Sequence, residues 1–189
     1  MRRCELQRTE HDVLAILRRP EAQALGRDAI RFSTQPSLGG RAIVVEAVGR
    51  TDGSADVRIF WAYGHPYSGW DAEGSERVRL PAAAYRRLTA SVDASLSSAR
   101  SIDVDTDNTI VCTDGPEFLT ERVRGGEVET LAGFCPIDEH NLHPNEHIAA
   151  AMLSLACPYV AGEFPSDNEI QRSCRRWRSL VASDRRRSH

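Results

Sequence analysis

Hydrophobic residues along the chain follow two different spacings, one of two residues and one of three to four. Segments 29–34, 41–49 and 56–64 are rich in β-branched residues and are separated by the turn-forming sequences QPSLGG and GRTDGSA. This pattern predicts three strands joined as an antiparallel meander. Segments 117–123 and 127–134, joined through RGG, predict a second hairpin.

Helical spacing begins after Pro81, a position where the first turn of a helix tolerates proline. The apolar residues that follow recur every three or four positions and predict a helix with one buried face. A second helix is predicted to begin at Pro144, and a last one over 167–181. The apolar residues of the first two are Tyr85, Leu88, Val92 and Leu96, then Ile148, Met152 and Leu155.

The beginning of the chain predicts a further helix, which Thr9 can cap and Pro20 should interrupt. Val13, Ile16 and Leu17 lie on one face of it. The order of strands, helix, strands and helix predicts an α+β fold. In that fold, an antiparallel sheet of two meanders has helices packed on one face.

The length of 189 residues fits one α+β domain over 1–189, with an N-terminal helical segment at 1–27 and a disordered basic tail at 184–189. No apolar run approaches the length of a membrane span. The first residues lack the apolar stretch of a signal peptide. We therefore expect a cytoplasmic protein, or a periplasmic one if a signal peptide has been removed.

All 24 basic residues other than histidine are arginines. The absence of lysine excludes a Schiff-base lysine and a P-loop lysine. The arginine-rich C-terminus, with Trp177 available for stacking, suggests nucleic-acid binding as an alternative function. A formal net charge of -3 makes that partner unlikely for the domain as a whole.

The sequence CPIDEHNLHPNEH, residues 135–147, is the strongest candidate for a metal site. His140, His143 and His147 have a spacing that one continuous helix would bring to one face, and imidazole is a usual zinc ligand. Pro144 disfavours a helical conformation at His143 and should separate the three rings. We therefore expect no cofactor, with a zinc-dependent hydrolase as the alternative.

The sequence DVDTDNTIVCTD, residues 103–114, partly matches the spacing of a calcium-binding loop. Asn108 replaces the usual glycine, and Asp114 replaces the bidentate glutamate. The strand-like TIVC is also unlike the helices that flank such loops. A turn between two strands is the favoured interpretation.

Aromatic residues are concentrated in FWAYGHPYSGW, residues 60–70. Such side chains give large contact areas with few rotors, which suits partner recognition, although they can equally cover the end of a core. No catalytic motif competes with this surface. The sequence therefore predicts a non-catalytic protein-binding or inhibitory (immunity-like) module. Its predicted partner-binding residues are Trp61, Tyr63, His65, Tyr67 and Trp70.

The five cysteines are an odd number, so at least one is not paired with another within the chain. Cys112 and Cys135 flank the predicted second hairpin and form a possible disulfide. Pairing about the two glycines sets Cys135 opposite Pro116, an offset of roughly 13 Å that a bulge would have to shorten. Cys157 and Cys174 could instead join the last two helices, and buried thiols are the remaining interpretation.

Overall fold

A computed structural model describes residues 13–36, 39–65, 68–101, 117–134, 144–163 and 175. They form one antiparallel sheet with two long helices packed against it, so the predicted α+β fold is confirmed. The strands are β1 (Asp28–Gln35), β2 (Gly40–Gly49), β3 (Ala55–His65), β4 (Gly69–Leu80), β5 (Glu117–Arg124) and β6 (Glu127–Phe134). The helices are α1 (Val13–Ile16), a 3-10 helix (Ala22–Leu25), α2 (Ala82–Ser101) and α3 (Pro144–Glu163).

The strand order is β4-β3-β2-β1-β5-β6, so β1 lies between β2 and β5 at the centre of the sheet. The first four strands form one meander and the last two a hairpin, joined through the β1–β5 pair. In that pair Arg31 lies opposite Glu121, and in the β1–β2 pair Arg31 lies opposite Glu46. The two predicted meanders therefore belong to one continuous sheet.

Strand β4 was not predicted, and it corrects the sequence interpretation. The sequence predicted no strand between the one over 56–64 and the helix after Pro81, but Gly69–Leu80, which includes Trp70, forms β4. This strand lies at the edge of the sheet, and most of its side chains are exposed. A strand with little buried surface lacks the apolar alternation from which strands are recognised. Its pairing with β3 is also irregular, because Glu73 is an extra residue in a bulge.

Helices α2 and α3 cover one face of the sheet and contact each other. Tyr85, Leu88, Val92 and Leu96 are buried, as the spacing predicted. From α3, Ile148 and Met152 are fully buried and Leu155 is partly buried. These helices enclose the main core together with sheet residues that include Phe32, Val45, Ile59 and Trp61.

The opposite face of the sheet is partly covered by the N-terminal segment. Val13 and Leu14 of α1 are buried in a second cluster with Val44 and Trp70. A tight turn follows α1, with Arg18 at a φ of 51°, and Pro20 separates it from the 3-10 helix. The helix ends at Ile16, four residues before Pro20, where the sequence predicted the interruption. The N-terminal segment therefore covers a second, smaller hydrophobic core.

The second hairpin has the predicted turn. Arg124 pairs with Glu127, which leaves Gly125 and Gly126 as a two-residue loop. Their φ angles are 62° and 97°, the positive values that a type I′ turn requires at both central positions. Glu117 lies opposite Phe134, so the register is the one predicted from pairing about the two glycines.

Two predictions about the C-terminal part lie outside the described residues. They are the last helix over 167–181, of which only the exposed Arg175 is described, and the basic tail over 184–189.

Among the described helices, none combines the length and the apolar character needed to cross a bilayer.

Candidate binding surface

The aromatic residues of segment 60–70 are divided between the two hydrophobic cores and the surface. Trp61 and Trp70 are each 5% exposed, and they lie in the clusters on opposite faces of the sheet. Neither indole is available to a partner in this conformation, so both serve packing. Tyr63 is 53% exposed, whereas His65 is partly buried. Tyr67 lies outside the described residues.

The burial of Trp61 depends on a glycine in the neighbouring strand. Gly74 lies opposite Trp61 in the β3–β4 pair. A Cβ atom placed on Gly74 would come closer than 3.0 Å to three atoms of the indole ring. The absence of a side chain therefore lets the indole lie flat across β4. Within the described part of the chain, neither its ring nitrogen nor that of Trp70 has a hydrogen-bond partner.

Tyr63 belongs to a small cluster that projects from the helix-side face near the end of β3. Arg41 lies opposite Tyr63 in the β2–β3 pair, with its guanidinium carbon 5.3 Å from the centre of the phenol ring. The Nε of Arg41 donates a hydrogen bond of 3.0 Å to Oε2 of Glu73, the extra residue of the β4 bulge. The bulge thus supplies the carboxylate that fixes Arg41 beside the ring. We call Arg41, Tyr63 and Glu73 the tyrosine cluster.

A second group of exposed side chains occupies the opposite face at the other end of β3. It contains Arg50, Arg58, Arg77 and Arg79, which we call the arginine corner, together with Asp52 and Asp56. Arg58 lies directly opposite Arg77 in the β3–β4 pair. Like charges in that position repel each other.

The two aspartates are shared among three of these arginines. Asp56 accepts hydrogen bonds of 3.0 Å from both Arg50 and Arg77, and Asp52 accepts one from Arg79. Hydrogen bonds from Arg77 and Arg50 lower the pKa of Asp56, and hydrogen bonds from Ser54 do the same for the pKa of Asp52. Both carboxylates are therefore ionised at neutral pH, and the corner keeps a surplus of positive charge.

A buried ion network links the N-terminal segment to the sheet. Arg31 and Glu46 are completely buried, and Nε of Arg31 donates to Glu46 at 3.0 Å. The same guanidinium donates to Glu121 at 2.9 Å and to the carbonyl of Pro20 at 2.7 Å. Arg19 makes a bidentate contact with Glu46, at 3.0 and 2.6 Å. Two arginines thus balance two glutamates, which is the condition for burying charge at a tolerable cost.

A second network joins α2 to the sheet on the helix side. The buried guanidinium of Arg122 donates to Asp93 of α2, at 2.9 Å, and to Asp28 at the start of β1. Burial raises the pKa of Asp93, but hydrogen bonds from Arg122 and Arg124 outweigh it, and the net pKa is lowered. Burial and the neighbouring Asp28 raise the pKa of Tyr85, whose hydroxyl points at the carbonyl of Asp28. The hydrogen bonds of both networks are made within the protein, so both networks stabilise the fold.

Sequence reasoning missed both networks. Arg31, Glu46 and Glu121 occupy alternate positions within predicted strands, and such positions are normally exposed to solvent. In the folded protein the three residues pair in register across neighbouring strands, with alternating charge. That register becomes visible only once the strand order is known.

The predicted metal and disulfide sites lie mostly outside the described residues. His140, His143, Cys112 and Cys135 are not among them, nor is the loop over 103–114. His147 lies in α3, which begins at Pro144 as predicted. Within the described part of the chain, no group of three or more metal-ligating side chains converges. Cys157 of α3 is disulfide-bonded, and the other four cysteines all lie outside the described residues.

No known protein-family model matches the sequence, and no curated protein matches it significantly. Function therefore has to be inferred from the surfaces of this chain. Two of them combine exposed side chains with a defined geometry: the tyrosine cluster and the arginine corner.

Proposed function

We propose that this protein is a non-catalytic protein-binding module whose contact surface centres on Tyr63. The observation that carries the proposal is the exposure of this ring. Tyr63 is the one large hydrophobic side chain exposed among the described residues. Tyrosine and arginine are enriched among the residues that dominate the energy of protein interfaces.

The neighbours of Tyr63 support this role because they limit its motion. Arg41 lies beside the ring and is itself fixed by Glu73. Side chains that are already ordered lose less conformational entropy when a partner binds. An inhibitory (immunity-like) action is the form this binding takes when the captured partner is an enzyme.

The proposed surface is narrower than the one predicted from the sequence. Trp61 and Trp70 are excluded because they are buried in the two cores. His65 is adjacent and partly buried, so we place it at the margin. The contact surface therefore consists of Tyr63 and Arg41, with Glu73 holding Arg41 in position.

A photo-crosslinking experiment tests the proposal. A photoreactive phenylalanine analogue is introduced at position 63 or, as a control, at Arg87, an exposed position on α2. We expect irradiation in the native host to yield a defined protein adduct from position 63 and none from position 87. The partner is then identified by mass spectrometry.

Binding of the purified partner gives the quantitative test. Tyr63→Ala should weaken the affinity by roughly thirtyfold, the effect of losing about 2 kcal/mol at an interface hot spot. Tyr63→Phe should retain most of the affinity, and Arg87→Ala all of it. The thermal midpoint of Tyr63→Ala should stay within a few degrees of wild type. Unchanged affinity of a folded Tyr63→Ala protein would refute the proposal.

A further inference from the structure

Strand β4 forms one edge of the described sheet. It is the last strand in the sheet order, so its outer backbone groups have no strand neighbour among the described residues. Exposed edges are usually blunted by bulges, charges or proline. Here the bulge at Glu73 interrupts only the first half of β4. The second half carries Glu76, Arg77 and Arg79, and the backbone N–H of Arg77 donates a hydrogen bond of 3.1 Å to the Glu76 carboxylate, which an added strand would have to displace. Ser75–Leu80 pairs regularly with β3 and forms an uninterrupted edge of six residues.

The side chains of this edge alternate between two chemistries. Arg77 and Arg79 project to the face of the arginine corner, because they lie opposite Arg58 and Asp56 of β3. Val78 and Leu80 project to the other face, where both pack against the main core. A strand added here would therefore meet cations on one face, and on the other Val78 and Leu80 beside the exposed Glu76.

The arginine corner has more positive charge than its own residues neutralise. Four guanidinium groups share two carboxylates, and Arg58 has no ion pair within the described part of the chain. Arg58 also lies directly opposite Arg77, an arrangement that destabilises a sheet. A local conflict of this kind is expected where a surface serves binding. An anionic partner would relieve it.

From these observations we infer that Ser75–Leu80 accepts an additional strand from an acidic partner protein. The inserted segment carries carboxylates at alternate positions facing Arg58, Arg77 and Arg79, with small apolar residues between them. Backbone hydrogen bonds along the edge give the affinity, and the alternating carboxylates fix the register. This surface lies on the other face of the sheet from Tyr63, so the inference goes beyond the proposed function and stands independently of it.

An acidic strand fits this edge better than a nucleic acid does. Asp52 and Asp56 lie among the arginines and would repel phosphates and peptide carboxylates alike, but only a peptide can also pair its backbone with the edge of β4. Among the described residues no exposed aromatic ring lies beside the corner, and base stacking is the usual second component of single-strand binding. The oligonucleotide is nevertheless included below as a competing probe.

The direct test uses fluorescein-labelled octapeptides and fluorescence polarisation on the full chain. One peptide alternates aspartate with valine and threonine, a second has the same composition with the aspartates grouped together, and a third replaces each aspartate with lysine. We expect binding of the alternating peptide, at least about tenfold weaker binding of the grouped one, and none of the lysine peptide. Equal binding of the first two, or no binding of the first, would overturn the inference.

Charge-removal variants locate the site. Arg77→Gln/Arg79→Gln should weaken binding of the alternating peptide by at least about tenfold. The matched control, Arg86→Gln/Arg87→Gln, removes the same charge from an exposed part of α2 and should leave binding unchanged. An equal loss in both variants would show general charge attraction and refute a specific edge. Tighter binding of a thymidine oligonucleotide than of the alternating peptide would refute an acidic protein partner.

Amide chemical shifts provide a readout of strand addition itself. During titration with the alternating peptide, the amide signals of Ser75–Leu80 should shift most, and that of Tyr63 should not move. Shifts confined to arginine side chains, with the backbone of β4 unaffected, would contradict strand pairing. A negative result in this titration would not affect the proposal for the tyrosine cluster, so the two proposals can be refuted separately.

Discussion

Replacing Arg31 with methionine tests the buried ion network most directly. The substitution keeps an apolar stem of similar length and removes a charge that has no exposure to solvent. Glu46 retains its bidentate contact with Arg19, but Glu121 loses its partner and the carbonyl of Pro20 loses its donor. The main penalty is therefore an uncompensated carboxylate at Glu121, whose side chain is almost buried.

Removing one partner of a buried ion pair costs about 3–5 kcal/mol. We expect Arg31→Met to lose that much free energy of unfolding. For a chain of this size each kcal/mol corresponds to roughly 2–4 °C in the thermal midpoint. The midpoint should therefore fall by about 6–20 °C. A second substitution, Glu121→Gln, neutralises the orphaned carboxylate and should recover about 1–2 kcal/mol, an ordinary coupling energy for contacting residues.

Urea unfolding followed by tryptophan fluorescence is the appropriate assay, because Trp61 and Trp70 are buried in the two cores. Arg58 provides a matched control. It lies in the same cross-strand row, opposite Glu46 on the other side, but it is exposed. Arg58→Met should change the free energy of unfolding by less than about 0.5 kcal/mol. If Arg31→Met were no worse than Arg58→Met, or if Glu121→Gln rescued nothing, the network would not have the role we assign it.

Three further predictions concern packing and pH. Gly74→Ala should destabilise the protein by about 1–3 kcal/mol, because its methyl group would overlap the Trp61 indole; Ser75→Ala, one residue on and exposed, should be close to neutral in the same urea titration. Trp61→Ala should cost about 3–5 kcal/mol in calorimetry. A cost near zero would show that this ring belongs to the surface after all. The pKa of Asp93 is lowered in the folded state, so its contribution to stability is present above the ordinary aspartate pKa of about 3.9 and is lost as the pH falls through the folded-state pKa. Asp93→Asn should therefore flatten the pH dependence of the midpoint below about pH 4, and an unchanged slope would contradict the pairing with Arg122.

The main core was predictable because it depends on short-range spacing. Tyr85, Leu88, Val92 and Leu96 recur at helical intervals, and that periodicity alone identifies the buried face of α2. The Gly125–Gly126 turn was predictable for a similar reason, since its conformation is almost restricted to glycine. Both signals are contained within a few neighbouring residues.

Features that depend on strand order could not be predicted in this way. The partners of Arg31 lie 15 and 90 residues away along the chain. Nothing local distinguishes it from an exposed arginine such as Arg58. Strand β4 was missed for a different reason, because most of its side chains are exposed and its apolar alternation is short, with only Val78 and Leu80 at its end packed against the main core. The candidate binding surface was predicted only in part, because alternation places Trp61 and Tyr63 on one face of β3 but does not tell how far along the strand that face is covered.

The position of β1 has a consequence for how the chain assembles. Its two neighbours, β2 and β5, are separated in sequence by the whole of β3, β4 and α2. A nascent chain can therefore build the first meander early, but the flank of its central strand stays vacant until β5 has been synthesised. Until β5 has been synthesised, Arg31 and the unpaired backbone edge of β1 can contact other polypeptides. We expect truncated products that end before β5 to self-associate. Formation of the β5–β6 hairpin should then protect the chain from aggregation.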